Sequence, residues 1–168
     1  MIRDRVHVAV SGGGDAGEAA CRLAEDVGRE LARRGAVVVT GGLGGAMEAA
    51  CRGAKAEGGT TVGILPTHER ADANQWVDLA VPTGLGEARN ALVVRAADAV
   101  IAVAGGFGTL SEIALALRVG TPVVGLQTWQ LGREGQPVEA IVVATTPADA
   151  AERAVALAME RRAPPTGS

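Results

Sequence analysis

Aromatic side chains are almost missing from this chain. Trp76, Phe107 and Trp129 are the only three among 168 residues, and there is no tyrosine. Surfaces that read nucleic acid stack bases on aromatic rings and neutralise phosphates with basic side chains. Here the net charge is −3, so no nucleic-acid partner is expected. Cysteine is scarce too. Cys21 and Cys51 sit in helical patterns among alanine and leucine, which suits small buried hydrophobes and excludes a disulfide framework. His7 and His68 stand far apart, and no His, Cys or carboxylate spacing suggests a metal site. Lys55 is the only lysine among the 16 Lys and Arg residues. It falls mid-helix near Arg52 and Glu57, a poor setting for Schiff-base chemistry. No apolar run nears the roughly 20 residues that span a bilayer, and no signal-peptide core opens the chain. A cytoplasmic protein with no membrane partner and no cofactor is the expectation.

What the chain does hold is Ala, Val, Leu, Ile and 24 glycines. Apolar strand-like runs alternate with helical ones. Strands are expected at 6–11, 36–40, 60–65, 77–81, 99–103 and 123–126, with a last strand or mixed segment at 138–144. Helices are expected at 16–34, 46–57, 85–97, 110–119 and 147–162. Asp15 with Glu18 reads as a cap for the first helix. Thr146, Pro147 and Asp149 read as the start of the last. Residues 67–75 read as a polar rim loop and 127–137 as a loop holding Trp129. Continuously apolar strands, each followed by a helix, predict an α/β fold. The expected architecture is a doubly wound, mostly parallel, Rossmann-like sheet with helices on both faces. Residues 1–163 read as one domain and 164–168 as a frayed tail.

In such sheets ligands bind beyond the carboxyl ends of the strands. Three glycine-rich turns fall there: Ser11–Gly14, Thr40–Gly45 and Ala104–Gly108. A fourth, 83–86, precedes a helix. Bare backbone amides at a helix start attract anions, helped by roughly half a positive charge from the helix. The candidate phosphate-binding residues are therefore Ser11, Gly12, Gly13, Thr40, Gly41, Gly42, Gly45, Met47, Gly105, Gly106, Phe107, Gly108 and Thr109. A local alternative is a capping box, in which Thr109 caps the helix and Glu112 reaches back to it. Gly12-Gly13-Gly14-Asp15-Ala16-Gly17 matches G-x-G-x-x-G. The second strand, however, ends in Thr40-Gly41 with no carboxylate for a ribose, which argues against a dinucleotide.

Three segments carry a resemblance. They are 40–47, Glu87-Ala88-Arg89-Asn90, and Gly105-Gly106-Phe107-Gly108-Thr109-Leu110-Ser111-Glu112. In order and spacing the chain resembles the LOG ("lonely guy") family of the SLOG superfamily, often labelled lysine decarboxylases. The resemblance covers about residues 6–126. Through 84–92 it looks more like a short branch that includes molybdenum cofactor carrier proteins. It implies a Rossmann-like homodimer or homotetramer. It also implies a phosphoribohydrolase that splits a nucleoside 5′-monophosphate into base and ribose 5-phosphate. Arg89 and Glu112 match the catalytic arginine and glutamate of that pattern; Gly105, Gly106, Gly108 and Thr109 match its phosphate loop. Ala104 replaces the pattern's proline, and Asn90 replaces the lysine that follows the arginine. The decarboxylase label finds no chemical support, since Lys55 is ill placed.

In the hydrolytic reading Glu112 stabilises positive charge developing on the sugar and orients water, while Arg89 holds the phosphate or the ribose. The alternative is a non-catalytic carrier whose glycine turns hold the phosphate of a nucleotide or pterin cofactor. Trp76 or Trp129 could stack on the ring of such a ligand.

Overall fold

The computed structural model describes residues 1–163; the expected tail lies outside them. The elements follow in order as β1 (His7–Ser11), α1 (Glu18–Arg33), β2 (Val37–Thr40), α2 (Ala46–Ala56), β3 (Thr60–Leu65), β4 (Leu79–Pro82), α3 (Asn90–Arg95), β5 (Ala99–Val103), α4 (Phe107–Val119), β6 (Val123–Leu126), β7 (Leu131–Arg133), β8 (Gln136–Val138), β9 (Val142–Ala144) and α5 (Pro147–Arg162). Short 3₁₀ turns span Ile2–Asp4, Arg70–Asp72 and Gly86–Arg89.

Seven strands form one sheet in the order β4-β3-β2-β1-β5-β6-β9. Every pairing in it is parallel. This is the α/β, doubly wound, Rossmann-like fold expected from the sequence. β1, β2, β5 and β6 bury nearly every residue because helices cover both faces. One face packs Val8, Val10, Val38, Ile101 and Val103 under alanine-rich α1, α2 and α5. The other packs Ala9, Val39, Val100 and Ala102 under α3 and α4. The strand order reverses between β1 and β5, the place where such sheets open a crevice at their carboxyl ends.

Some sequence expectations shift. The 85–97 helix is broken: Gly84 and Gly86 take positive φ (64° and 56°), so the chain first makes a 3₁₀ turn and only then α3. α1 starts at Glu18 behind Gly17, without a side-chain cap from Asp15. The Gly13 carbonyl accepts from Ala46 N (3.0 Å) and Ala16 N (3.3 Å), so 13–16 turns toward α2 instead of joining α1. Most of the expected 127–137 loop forms the antiparallel hairpin β7–β8, which takes in Val138, so the expected 138–144 strand shortens to β9. Thr146 caps α5 as expected, accepting from Asp149 N at 3.1 Å.

Lys55 is a structural tie. It donates to Asp78 at 2.7 Å and to the Gly59 carbonyl at 3.1 Å. Asp78 also accepts from Thr61 N at 2.9 Å, which places the pair where β3 begins, away from the carboxyl ends of the strands.

Candidate functional site

A cleft of about 440 Å³ opens at the reversal point between β1 and β5. Its floor is Ser11, the last residue of β1, with Gly12 and Gly13 beyond it. The turn after β5 supplies one wall through Gly106, Phe107, Gly108 and Thr109. Gly41, Met47, Arg89 and Glu112 complete the set of expected residues that line it.

Four expected residues lie elsewhere and shape the walls from behind. Thr40 is fully buried, and its hydroxyl accepts from Gly42 N at 3.1 Å. Gly42 backs onto Leu65, which a Cβ would meet at 2.5 Å. Gly45 abuts the Gly13 carbonyl, and a Cβ there would sit 2.4 Å from it. Gly105 packs on the Thr109 side chain and lines a separate shallow depression with Thr128 and Trp129. Gly14, Asp15, Glu87 and Asn90 also line the cleft but were not among the expected binding residues. Asp15, which the sequence pattern reads as a cap for α1, makes no such cap and lines the cleft.

The glycines divide by cause. A Cβ on Gly12 would lie 2.6 Å from the Ala46 Cβ, and one on Gly41 would lie 2.5 Å from an Arg89 nitrogen. These two are small so that the protein can pack. Gly106 and Gly108 are different, because nothing in the protein comes within 4 Å of a Cβ placed on them. Gly106 stands at the N-cap of α4, where glycine is favoured over alanine. Gly108 lies inside the helix, where glycine costs about 0.5–1 kcal/mol relative to alanine, and packing gives no reason for that cost.

α4 begins at Phe107, not at Leu110, with Gly106 as its N-cap and no side-chain cap. The capping box is therefore not formed. Thr109 lies inside the helix, and the Glu112 carboxylate accepts a hydrogen bond from the Ser11 hydroxyl instead. The first amides of a helix have no intrahelical acceptor, and those of α4 border the cleft.

Arg89 and Glu112 are both buried, at 9% and 7% exposure. The Arg89 guanidinium donates to Asn90 Oδ1 and, at 3.4 Å, to the Gly41 carbonyl. Its Nε is buried without a partner. Burial lowers the Arg89 pKa, and the Glu112 charge opposes that; a guanidinium stays cationic regardless. Burial also pushes the Glu112 carboxyl above its ordinary range, against the Ser11 hydrogen bond and the Arg89 charge. Asn90 Nδ2 donates to Ser111 Oγ at 3.0 Å, and Ser111 donates to the Gly108 carbonyl at 2.7 Å. Asn90 thus links the arginine to the glycine turn, a bridge that a lysine could not make as acceptor.

Ala104 has φ of +46°, its N–H donates to the Leu126 carbonyl at 3.1 Å, and its carbonyl accepts from Thr128 at 2.6 Å. Proline could neither adopt that φ nor donate that hydrogen bond. Among the described residues no group of three or more His, Cys, Asp or Glu is placed to hold a metal, and no helix is long and apolar enough to cross a membrane.

Fold and cleft together define a doubly wound α/β protein with a glycine-walled crevice at its strand reversal. The chain belongs to the SLOG cluster4 family, whose sequence pattern matches residues 5–158. An uncharacterized protein of Archaeoglobus fulgidus is 43% identical over 122 residues, 73% of this chain and 80% of that one. The molybdenum cofactor binding protein of Rippkaea orientalis superposes with a TM-score of 0.80 at 34% identity, covering 89% of this chain and 94% of its own. The Moco carrier protein of Chlamydomonas reinhardtii gives a TM-score of 0.80 at 32% identity, covering 93% and 99% respectively.

Proposed function

We propose that the cleft binds a small molecule through a single phosphate and serves as a carrier site for a phosphorylated pterin cofactor or nucleotide. The start of α4, which has no side-chain cap, carries this reading: free amides beside Gly106 and Gly108, and a glycine at 108 that packing does not require. Arg89 is the one cation lining the cleft, set against Asp15, Glu87 and Glu112. With no further cation to offset added negative charge, a chain of phosphates is disfavoured. Similarity over nearly the full chain to proteins that bind or carry the molybdenum cofactor supports the pterin as cargo.

Hydrolysis of a nucleoside 5′-monophosphate is the second reading, and Glu112 favours it. A buried carboxyl held toward its neutral form can donate a proton to a departing base, while Arg89 holds the sugar phosphate. Assembly as a homodimer or homotetramer belongs to the same picture, supported by the exposed apolar side chains of Leu85 and Leu92.

Calorimetric titration with AMP, ATP and inorganic phosphate, joined to chromatography for released base, tests both readings. AMP is expected to bind more tightly than ATP, and Gly108→Val is expected to abolish binding. Binding without released adenine supports the carrier. Release that stops in Glu112→Gln supports the hydrolase. If the parent protein binds neither phosphate nor AMP, the phosphate site is wrong.

A further inference from the structure

Two of the three aromatic rings in this chain meet at the lip of the cleft. Phe107 lines the cleft as the first residue of α4 and is 81% exposed. The ring centroid of Trp129 lies 5.7 Å away, with the planes tilted by 36°. The Trp129 indole N–H donates to the Gly106 carbonyl at 3.2 Å. The indole is thereby fastened to the turn whose amides face the cleft. Trp129 also packs, with Leu131 and Ile141, against the core on the α3–α4 face. Phe107 is thus braced on one flank and open on the rest.

An exposed phenylalanine forgoes the burial that usually justifies it, and phenylalanine ranks below alanine and leucine as a helix former. Packing therefore leaves the residue unexplained. A ring fixed to an anion-binding turn stands where the group attached to that anion must lie. A flat aromatic face prefers another π-system in an offset or edge-on stack, and such stacking tolerates any planar base. Met47, which also lines the cleft, offers a soft, adaptable surface whose methyl lies 3.6 Å from a Cβ placed on Gly14. Trp76 belongs to another place, since it does not line the cleft.

We propose that Phe107, held in place by Trp129, stacks on the planar heteroaromatic group of the phosphorylated ligand, a purine or a pterin. This selects ring-bearing phosphates over plain sugar phosphates. The inference rests on the phosphate-site reading of the same cleft.

The test compares AMP with ribose 5-phosphate, which share the phosphate and sugar and differ by the ring. In a Trp76→Phe background Trp129 is the only indole, so its emission reports on the lip. Signals are read on rapid mixing, ahead of any turnover, and Kd is measured for each ligand. AMP is expected to change the Trp129 emission and to bind roughly tenfold more tightly than ribose 5-phosphate, a ratio worth about 1.4 kcal/mol. Phe107→Ala is expected to remove that advantage and to leave ribose 5-phosphate within about twofold, and Phe107→Tyr to restore it. Equal binding of the two ligands by the parent overturns the stacking surface and leaves the phosphate site standing. A Phe107→Ala protein weakened equally for both ligands, or for neither, also overturns it. So does one that changes only its sedimentation, which would make the ring a contact between copies. If the parent binds neither ligand, both readings fall.

Discussion

Glu112 shows how a residue can be found in the sequence while its circumstances are not. Its distance from the glycine turn marks it as a candidate, but its partner, Ser11, lies 101 residues away. Ser11, a candidate phosphate contact, lines the cleft, and its hydroxyl also donates to this carboxylate, a contact that the β1–β5 pairing creates. Burial raises the folded-state pKa of Glu112, so between the unfolded and folded values the native protein holds more protons than the unfolded chain. Stability must fall as pH rises through that window. Glu112→Gln keeps the acceptor for Ser11 and removes the titration. The variant is expected to melt above the parent at pH 8, with the gain shrinking toward pH 4. Thermal melts of both proteins across that range check the sign, and a gain that grew toward acid would contradict it.

At the scale of elements, the sequence pattern marks β5 and β6 to the residue, because strands buried on both faces are unbroken apolar runs, and β3 because Gly59 and Pro66 bound it. The β7–β8 hairpin was invisible for a physical reason. Its turn pairs Glu134 and Gly135, both at positive φ (50° and 76°), rather than the Asn-Gly that usually announces such a turn. Its strands are only three residues long. The segment joining β5 to α4 makes a further case. Ala104 stands where the LOG pattern it resembles has proline, and the chain here takes a left-handed turn that proline cannot make. Ala104→Pro is therefore expected to destabilise the protein by about 1–3 kcal/mol and to disturb phosphate binding. Ala104→Gly relieves the left-handed alanine and is expected to stabilise by about 0.5–1 kcal/mol. Denaturant unfolding of the two variants should move in opposite directions from the parent.

Across the molecule, helix placement depends on points of near contact that no local pattern reveals. A Cβ on Gly28 of α1 would lie 2.0 Å from the Ala50 carbonyl of α2, and one on Gly53 of α2 would lie 1.9 Å from the Glu25 carbonyl of α1. In the sequence both look like mere weak spots in helices; in three dimensions they let two backbones touch. Gly28→Ala must push the helices apart, with an expected cost of about 3 kcal/mol. At this chain length that corresponds to a melting temperature lower by on the order of 10 °C. Because Ala46 N binds the Gly13 carbonyl, the same displacement should also weaken ligand binding, which calorimetry on the folded variant can read.

The crevice lies along a seam. One bank belongs to the strands β4-β3-β2-β1 and the other to β5-β6-β9. No contiguous stretch of chain owns the pocket, so no excised fragment should inherit it. A guest that grips both banks works as a rivet, since whatever binds only the folded form stabilises it by mass action. Heat resistance then becomes a gauge of whether the seat is taken, and an empty protein is the one most exposed to unfolding.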